Sequence, residues 1–416
     1  MKVVEITSSG YEDGFKAGLE VKGRWKRGRL TNPVYWAGWT SYSYACWPIE
    51  KRRKVTLEEV LGKLGSWTRD AALRYAEKLH QKKMATLPNL KTYPELEGMD
   101  EYIDGYVKGY AEAAGIELKE VLLEKYWKEI MYYAQVNRPP SEGVEACTEI
   151  IFTRTEDGPI FGRGWDDWPG WYEDEAFTPP SKKVVEEKPT LIRYRGKGYS
   201  RVSGINEKGF AGFVTGGGAF YEYEEPSPEI FPVDVGELIL RYCATVEEAV
   251  EMLQRYRLFW GPCNAVVYDV HGNARVVEKS RRKMAVRDLD DAGVGFSTYA
   301  GCENEDLKKL CDTASPRFKY YRKRYDWMQR TVSEAKGNLS LEVVWKMLTG
   351  HAPGGAMCQH HDSLPPGLCI VTLGVWAVLL KEGRRLVRNA YKEGKDWVYP
   401  CSVEQVEVHF KVPGKT

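Results

Sequence analysis

Between Cys147 and Asp167 the chain carries two apolar runs parted by the turn Glu156-Asp157-Gly158. The first is Cys147-Thr148-Glu149-Ile150-Ile151-Phe152, and the second, from Ile160, ends in Phe161-Gly162-Arg163-Gly164-Trp165-Asp166-Asp167. An Asp-Gly turn between such runs predicts a β-hairpin. The ends of a hairpin lie side by side, so Arg163 and Asp166 fold back beside Cys147. A thiol becomes a nucleophile in that company: a cation favours the thiolate, and a carboxylate orients whatever takes its proton. The bland alternative is an ordinary buried strand cysteine, for free cysteine is among the most buried residue types.

The period of the apolar residues changes at this hairpin. Before it, Thr56-Leu57-Glu58-Glu59 is a capping box that predicts a helix to about Met84. Further helices are predicted over about Met99–Ala114, broken by Gly115, and about Leu118–Ala134, ahead of Arg138-Pro139-Pro140. After the hairpin, strands are predicted at Thr190–Tyr194, Arg201–Ile205, Ala211–Thr215, Ala265–Asp269, Ala274–Glu278, Gly293–Ser297, Cys369–Leu380 and Val403–Val412. Helices are expected at about Val235–Gln254, Pro316–Ala335 and Leu341–Leu348, the last capped by Ser340. Clustered strands with helices between them suit stacked sheets covered by helices.

Bulk properties exclude several classes. A net charge of +1 leaves no basic surplus for nucleic acid. No stretch approaches the apolar length of a membrane span, and Met1-Lys2-Val3-Val4-Glu5-Ile6 lacks a signal-peptide core. The nine cysteines are scattered and odd in number, without C-x-x-C pairs, which suits a reduced, cytoplasmic setting.

Cysteine with arginine at +16 and aspartate at +19, inside C-T-x-I…F-G-R-x-x-D, resembles the mature start of choloylglycine (bile-salt) hydrolases and penicillin V acylases. The segment Tyr11-Glu12-Asp13-Gly14-Phe15-Lys16-Ala17-Gly18 and the long upstream extension resemble the isopenicillin N acyltransferase family, whose members include acyl-CoA:6-aminopenicillanic acid acyltransferase. Both are N-terminal-nucleophile (Ntn) amidohydrolases. Further matches follow in order. Gly204-Ile205-Asn206-Glu207-Lys208-Gly209 resembles the family's G-x-N-E-K-G turn, with Asn206 read as structural. Asn264-Ala265-Val266-Val267-Tyr268-Asp269 with Gly272 and Val276-Val277-Glu278 resembles a core hairpin. Ser315-Pro316-Arg317-Phe318 resembles the element whose arginine reaches the active site.

The resemblance implies an α+β fold: an Ntn-type αββα sandwich of two stacked antiparallel sheets over 147–416, preceded by a mainly helical propeptide over 1–146. It implies cleavage between Ala146 and Cys147, after which the Cys147 α-amine serves as base. Arg163, Asp166 and Arg317 would complete the catalytic group, and a thioester would form on Cys147. The oxyanion contacts are expected from Thr215 and Gly216 and, because Tyr299 stands where relatives carry asparagine, from Tyr299 or Asn304. No metal or other cofactor is implied. The expected partners are a small amide or acyl-donor substrate and the cut propeptide, which would stay bound as a second chain; self-association is compatible with the sequence, and nucleic acid and membrane are not expected.

Three other readings compete. A papain-like protease would pair Cys147 with His360 or His361 and Asp362, and needs the cysteine at a helix N-terminus. A zinc site from His351, Cys358, His360 and His361 is the second, although adjacent histidines in a strand point apart. The segment Gly350-His351…Met357-Cys358-Gln359-His360 also resembles the acyltransferases' dH…siCrH element, a metal-free explanation. A non-catalytic Ntn-fold binding protein is the third.

Overall fold

The computed structural model describes residues 4–6, 9–22, 69–87, 96–126, 147–167, 191–194, 203–216, 235–256, 263–280, 283–296, 304–310, 313, 316–352, 355–356, 358–360, 371–393 and 396–410. One sheet has the strand order β1 (Val4–Ile6), β4 (Leu191–Tyr194), β5 (Ser203–Asn206), β6 (Ala211–Gly216), β7 (Cys263–Tyr268), β8 (Ala274–Lys279) and β9 (Met284–Asp288). The other runs β10 (Ala292–Phe296), β2 (Thr148–Phe152), β3 (Ile160–Asp167), β13 (Val371–Leu379), β14 (Arg384–Asn389) and β17 (Val406–His409). Two small ladders complete the set among the described residues: β11 (His351–Ala352) with β12 (Gly355–Ala356), and β15 (Tyr391–Glu393) with β16 (Asp396–Val398).

Alternating side chains explain the stacking. Along β2, Ile151 faces the first sheet, where Phe161, Trp376 and Val378 meet Phe213, Val266 and Val276. Its neighbours Ile150 and Phe152 face the opposite way, onto Tyr321, Tyr325 and Met328 of α8 (Pro316–Glu334) and Val344, Met347 and Leu348 of α9 (Leu341–Thr349). The first sheet is covered on its outer side by α3 (Met99–Ala114), α5 (Val235–Tyr242) and α6 (Val246–Arg255), through Tyr102, Leu238, Ile239 and Leu253 against Val267 and Val277. The layers are therefore helix, sheet, sheet, helix: the αββα order that the resemblance implies. β2 and β13, buried on both faces, sit in its middle.

Several local readings are corrected. The pairings β1–β4 and β4–β5 are parallel, so the first sheet is antiparallel only from β5 onward. The expected single helix over Val235–Gln254 is two, because Thr245 and Glu248 form a capping box that starts α6 anew. Ser340 occupies the N-cap of α9 without a side-chain bond. Strands β9, β11, β12, β14, β15 and β16 were not expected.

Residues 1–146 are mainly helical where described, yet bound into the sandwich. α1 (Gly10–Val21) lies against α3 so closely that a methyl at Gly10 or Gly14 would meet the carbonyl oxygens of Tyr102 and Tyr106. α2 (Arg69–Thr86) and α4 (Leu118–Lys125) pack around Ala76, Leu79, Leu122 and Tyr126. β1 extends the first sheet at its edge. The capping box at Thr56 and the end of the helix expected to reach Ala134 lie outside the described residues. A short α7 (Glu305–Lys308) precedes α8.

Candidate active site

β2 and β3 form the expected hairpin, with Thr148 opposite Gly164 and Glu149 opposite Arg163. Cys147 precedes β2 and is fully buried. Arg163 Nη2 lies 3.7 Å from Cys147 Sγ, within range of a weak N–H···S contact. The guanidinium is steadied by the Trp376 ring, 5.3 Å away on the neighbouring strand. No helix starts at Cys147, so the papain-like geometry is not built here.

Glu149, one strand repeat beyond Cys147, went unnoticed in the sequence. Its Oε1 stands 3.6 Å from Arg163 Nη1, too far for a good hydrogen bond. Burial therefore prevails, pushing its carboxyl up to about 8 against the pull of Arg163 and the Val266 backbone. At neutral pH Glu149 is protonated, and Arg163 keeps its positive field for the thiol.

Asp166 faces the opposite side of β3, under α8. It accepts from Thr372 Oγ1 at 2.6 Å, Gln359 Nε2 at 2.6 Å and Arg324 Nη2 at 2.9 Å. Thr372 in turn accepts from the Gln359 backbone N–H. Burial pushes the Asp166 carboxyl up, and Arg324, Thr372 and Gln359 oppose it. Burial also works against the Arg324 charge, but Asp166 and the tyrosines Tyr320 and Tyr321 more than offset it, so Arg324 is held above its ordinary value. The ion pair is fully enclosed, at 0% and 1% side-chain exposure.

The other candidates are placed unevenly. Arg317 is the second residue of α8, two turns ahead of Arg324. Sequence reading chose Arg317 and passed over Arg324, which shares its helix. Thr215 and Gly216 end β6, opposite Asn264 and Cys263. Asn304 is exposed and caps α7, its Oδ1 accepting from the backbone of Asp306 and Leu307. Ala146 and Tyr299 lie outside the described residues, as do His361 and Asp362. Asn206 is structural: it donates to the carbonyls of Leu240 and Cys243 and accepts from Lys208 and Phe210.

A second cluster lies beyond Gln359. His351, Cys358, His360 and Cys401 bring their ligating atoms within 4.8 Å of one another. Three of these were grouped from sequence; Cys401, on a 3-10 turn over Pro400–Ser402, was not.

Among solved structures, a mutant conjugated bile acid hydrolase from Clostridium perfringens is 13% identical, with TM-score 0.37, over 64% of this chain and 97% of that one. Penicillin V acylase from Agrobacterium tumefaciens is 14% identical, with TM-score 0.35, over 61% and 86%. No curated protein matches the sequence. No described helix is long and apolar enough to cross a membrane. Residues 153–298, a stretch that begins after Cys147, match the family model described as acyl-coenzyme A:6-aminopenicillanic acid acyl-transferase, in agreement with the resemblance carried by the motifs.

Proposed function

We propose that this chain is a precursor of a cysteine-nucleophile enzyme that cuts linear amide C–N bonds and passes the acyl group to water or to an amine. The observation that carries the reading is the Arg163 guanidinium 3.7 Å from the Cys147 thiol at the start of a hairpin resembling that of the Ntn amidohydrolases. Full burial of Cys147 in the uncut chain suits a precursor, since a working nucleophile must be reached by substrate.

Activation begins when Cys147 Sγ attacks the carbonyl carbon of Ala146 and displaces the Cys147 nitrogen. Water then hydrolyses the resulting thioester, leaving a carboxylate on Ala146 and a free α-amine and thiol on Cys147. In turnover the α-amine takes the thiol proton as Sγ attacks the substrate carbonyl, and gives it to the departing amine. A thioester remains, which water or an acceptor amine resolves. Arg163 favours the thiolate, and Asp166, held on the α8 side of β3 in the uncut chain, is proposed to orient the α-amine once the cut frees it. Arg317 and the backbone near Thr215 and Gly216 are the proposed oxyanion contacts, with Tyr299 also proposed there. The cut segment stays docked through β1 and the helix layer.

Mass spectrometry of the purified protein tests this. Wild type is expected as two chains, 1–146 and 147–416, and Cys147→Ala as one chain of 47.5 kDa. An uncut wild type that still hydrolyses amides would rule out the α-amine as base.

A further inference from the structure

We propose that His351, Cys358, His360 and Cys401 form a structural site for a borderline-soft divalent cation, zinc foremost. Two imidazoles and two thiols arrive from three separate pieces of chain: β11, the bend at Cys358–His360, and the turn at Pro400–Ser402. Their ligating atoms lie within 4.8 Å of one another, with His360 Nε2 and Cys401 Sγ at 3.3 Å. A tetrahedral zinc with bonds of about 2.3 Å to sulfur and 2.0–2.1 Å to nitrogen needs ligand separations of roughly 3.3–3.8 Å. Closing the set therefore takes small side-chain rotations, and His351, exposed on its short strand, has the room to make them.

The surroundings support coordination over chance packing. The His360 ring stacks on Tyr399 with centroids 4.0 Å apart and planes 9° from parallel, which fixes the direction of Nε2. The His351 ring meets it edge-on at 4.8 Å. The Cys358 backbone N–H donates to the Gly350 carbonyl, tying the bend to the entry of β11. Thiolate and imidazole donors select zinc over magnesium or calcium, and four protein ligands leave no open position, as in structural sites. Binding would release the two thiol protons to solvent, and two thiolates would neutralise the dication.

The site also has a place in the architecture. Gln359, between two of the ligands, donates its side-chain amide to Asp166 and its backbone N–H to Thr372. A cation here would pin the segment that holds Asp166. The inference rests on the ligand geometry and stands whether or not Cys147 is a nucleophile. It departs from the expectation that the protein holds no metal.

The test uses the full chain, stripped with a chelator under reducing conditions and titrated with cobalt(II), then with zinc(II). One equivalent of cobalt per chain is expected, giving intense visible bands of a tetrahedral ion and a near-ultraviolet thiolate-to-cobalt band, both bleached by zinc. Cys401→Ser should weaken the thiolate band. His351→Ala, at an exposed position, should keep the fold and lower cobalt affinity at least about tenfold. The proposal is overturned if wild type gives no thiolate band, if these variants leave the spectrum and affinity unchanged, or if the unreduced protein carries a Cys358–Cys401 disulfide.

Discussion

Glu149 and Arg163 stand 3.6 Å apart across one rung of the β2–β3 ladder. With the Glu149 carboxyl pushed up to about 8, the pair has a definite pH signature. Below about pH 4.5 the carboxyl is protonated in both folded and unfolded chains, and its contribution to stability is complete. As pH rises from there to about 8, the unfolded chain ionises Glu149 while the folded one resists, so stability is lost across that window, by at most about 5 kcal/mol. Above it both forms are ionised and the loss stops growing. Glu149→Gln should lack this loss and melt higher than wild type at pH 8, with the gap closing toward pH 4. A gap independent of pH in paired melting curves would mean that Glu149 is ionised in the folded protein. Cys147 and Arg163 were legible in the sequence because one hairpin fixes their register. The partners of Asp166 were not: Arg324, Gln359 and Thr372 come from a helix, a bend and a strand that only tertiary packing brings together. Cys401 escaped for the same reason, lying 41 residues after His360.

Among the elements, the α1–α3 contact depends most directly on residue size. Gly10, Gly14 and Gly18 recur every four residues on α1 and let it approach the carbonyls of Tyr102, Tyr106 and Tyr110. Gly14→Ala would recover about 0.5–1 kcal/mol of helix propensity but drive a methyl into backbone. Overpacking costs about 1–3 kcal/mol, and here the obstacle is a carbonyl rather than a pliant side chain. A lower melting temperature is expected, and a variant as stable as wild type would show that the helices can separate freely. The glycine spacing was visible in the sequence, as were the long strands, whose apolar runs are unambiguous. β14 was hidden by its charges, since Arg384, Arg385 and Arg388 interrupt the pattern, although Leu386 and Val387 are buried. The break between α5 and α6 was in principle legible, since Thr245 and Glu248 have capping-box spacing.

For the whole molecule, the relation between residues 1–146 and the rest would decide how the protein behaves after the proposed cleavage. The amphipathic patterns foretold helices there, but not that three residues of that segment would pair with β4. A short strand has little signal of its own, and its partner is nearly two hundred residues away. Proposed cleavage at Ala146–Cys147 turns an intramolecular sheet into one shared by two polypeptides. The uncut Cys147→Ala chain should recover from urea with a yield independent of dilution. The processed protein should recover less at lower concentration, because its pieces must first meet; equal yields at every dilution would mean that 147–416 folds alone. If the proposed cut occurs, β1 works as a memory. Emerging from the ribosome ahead of Cys147, it can take part in the assembly while both pieces are still one chain, and the cut then erases the covalent instruction while keeping its result. A processed molecule that later unfolds would have lost the route by which it was made.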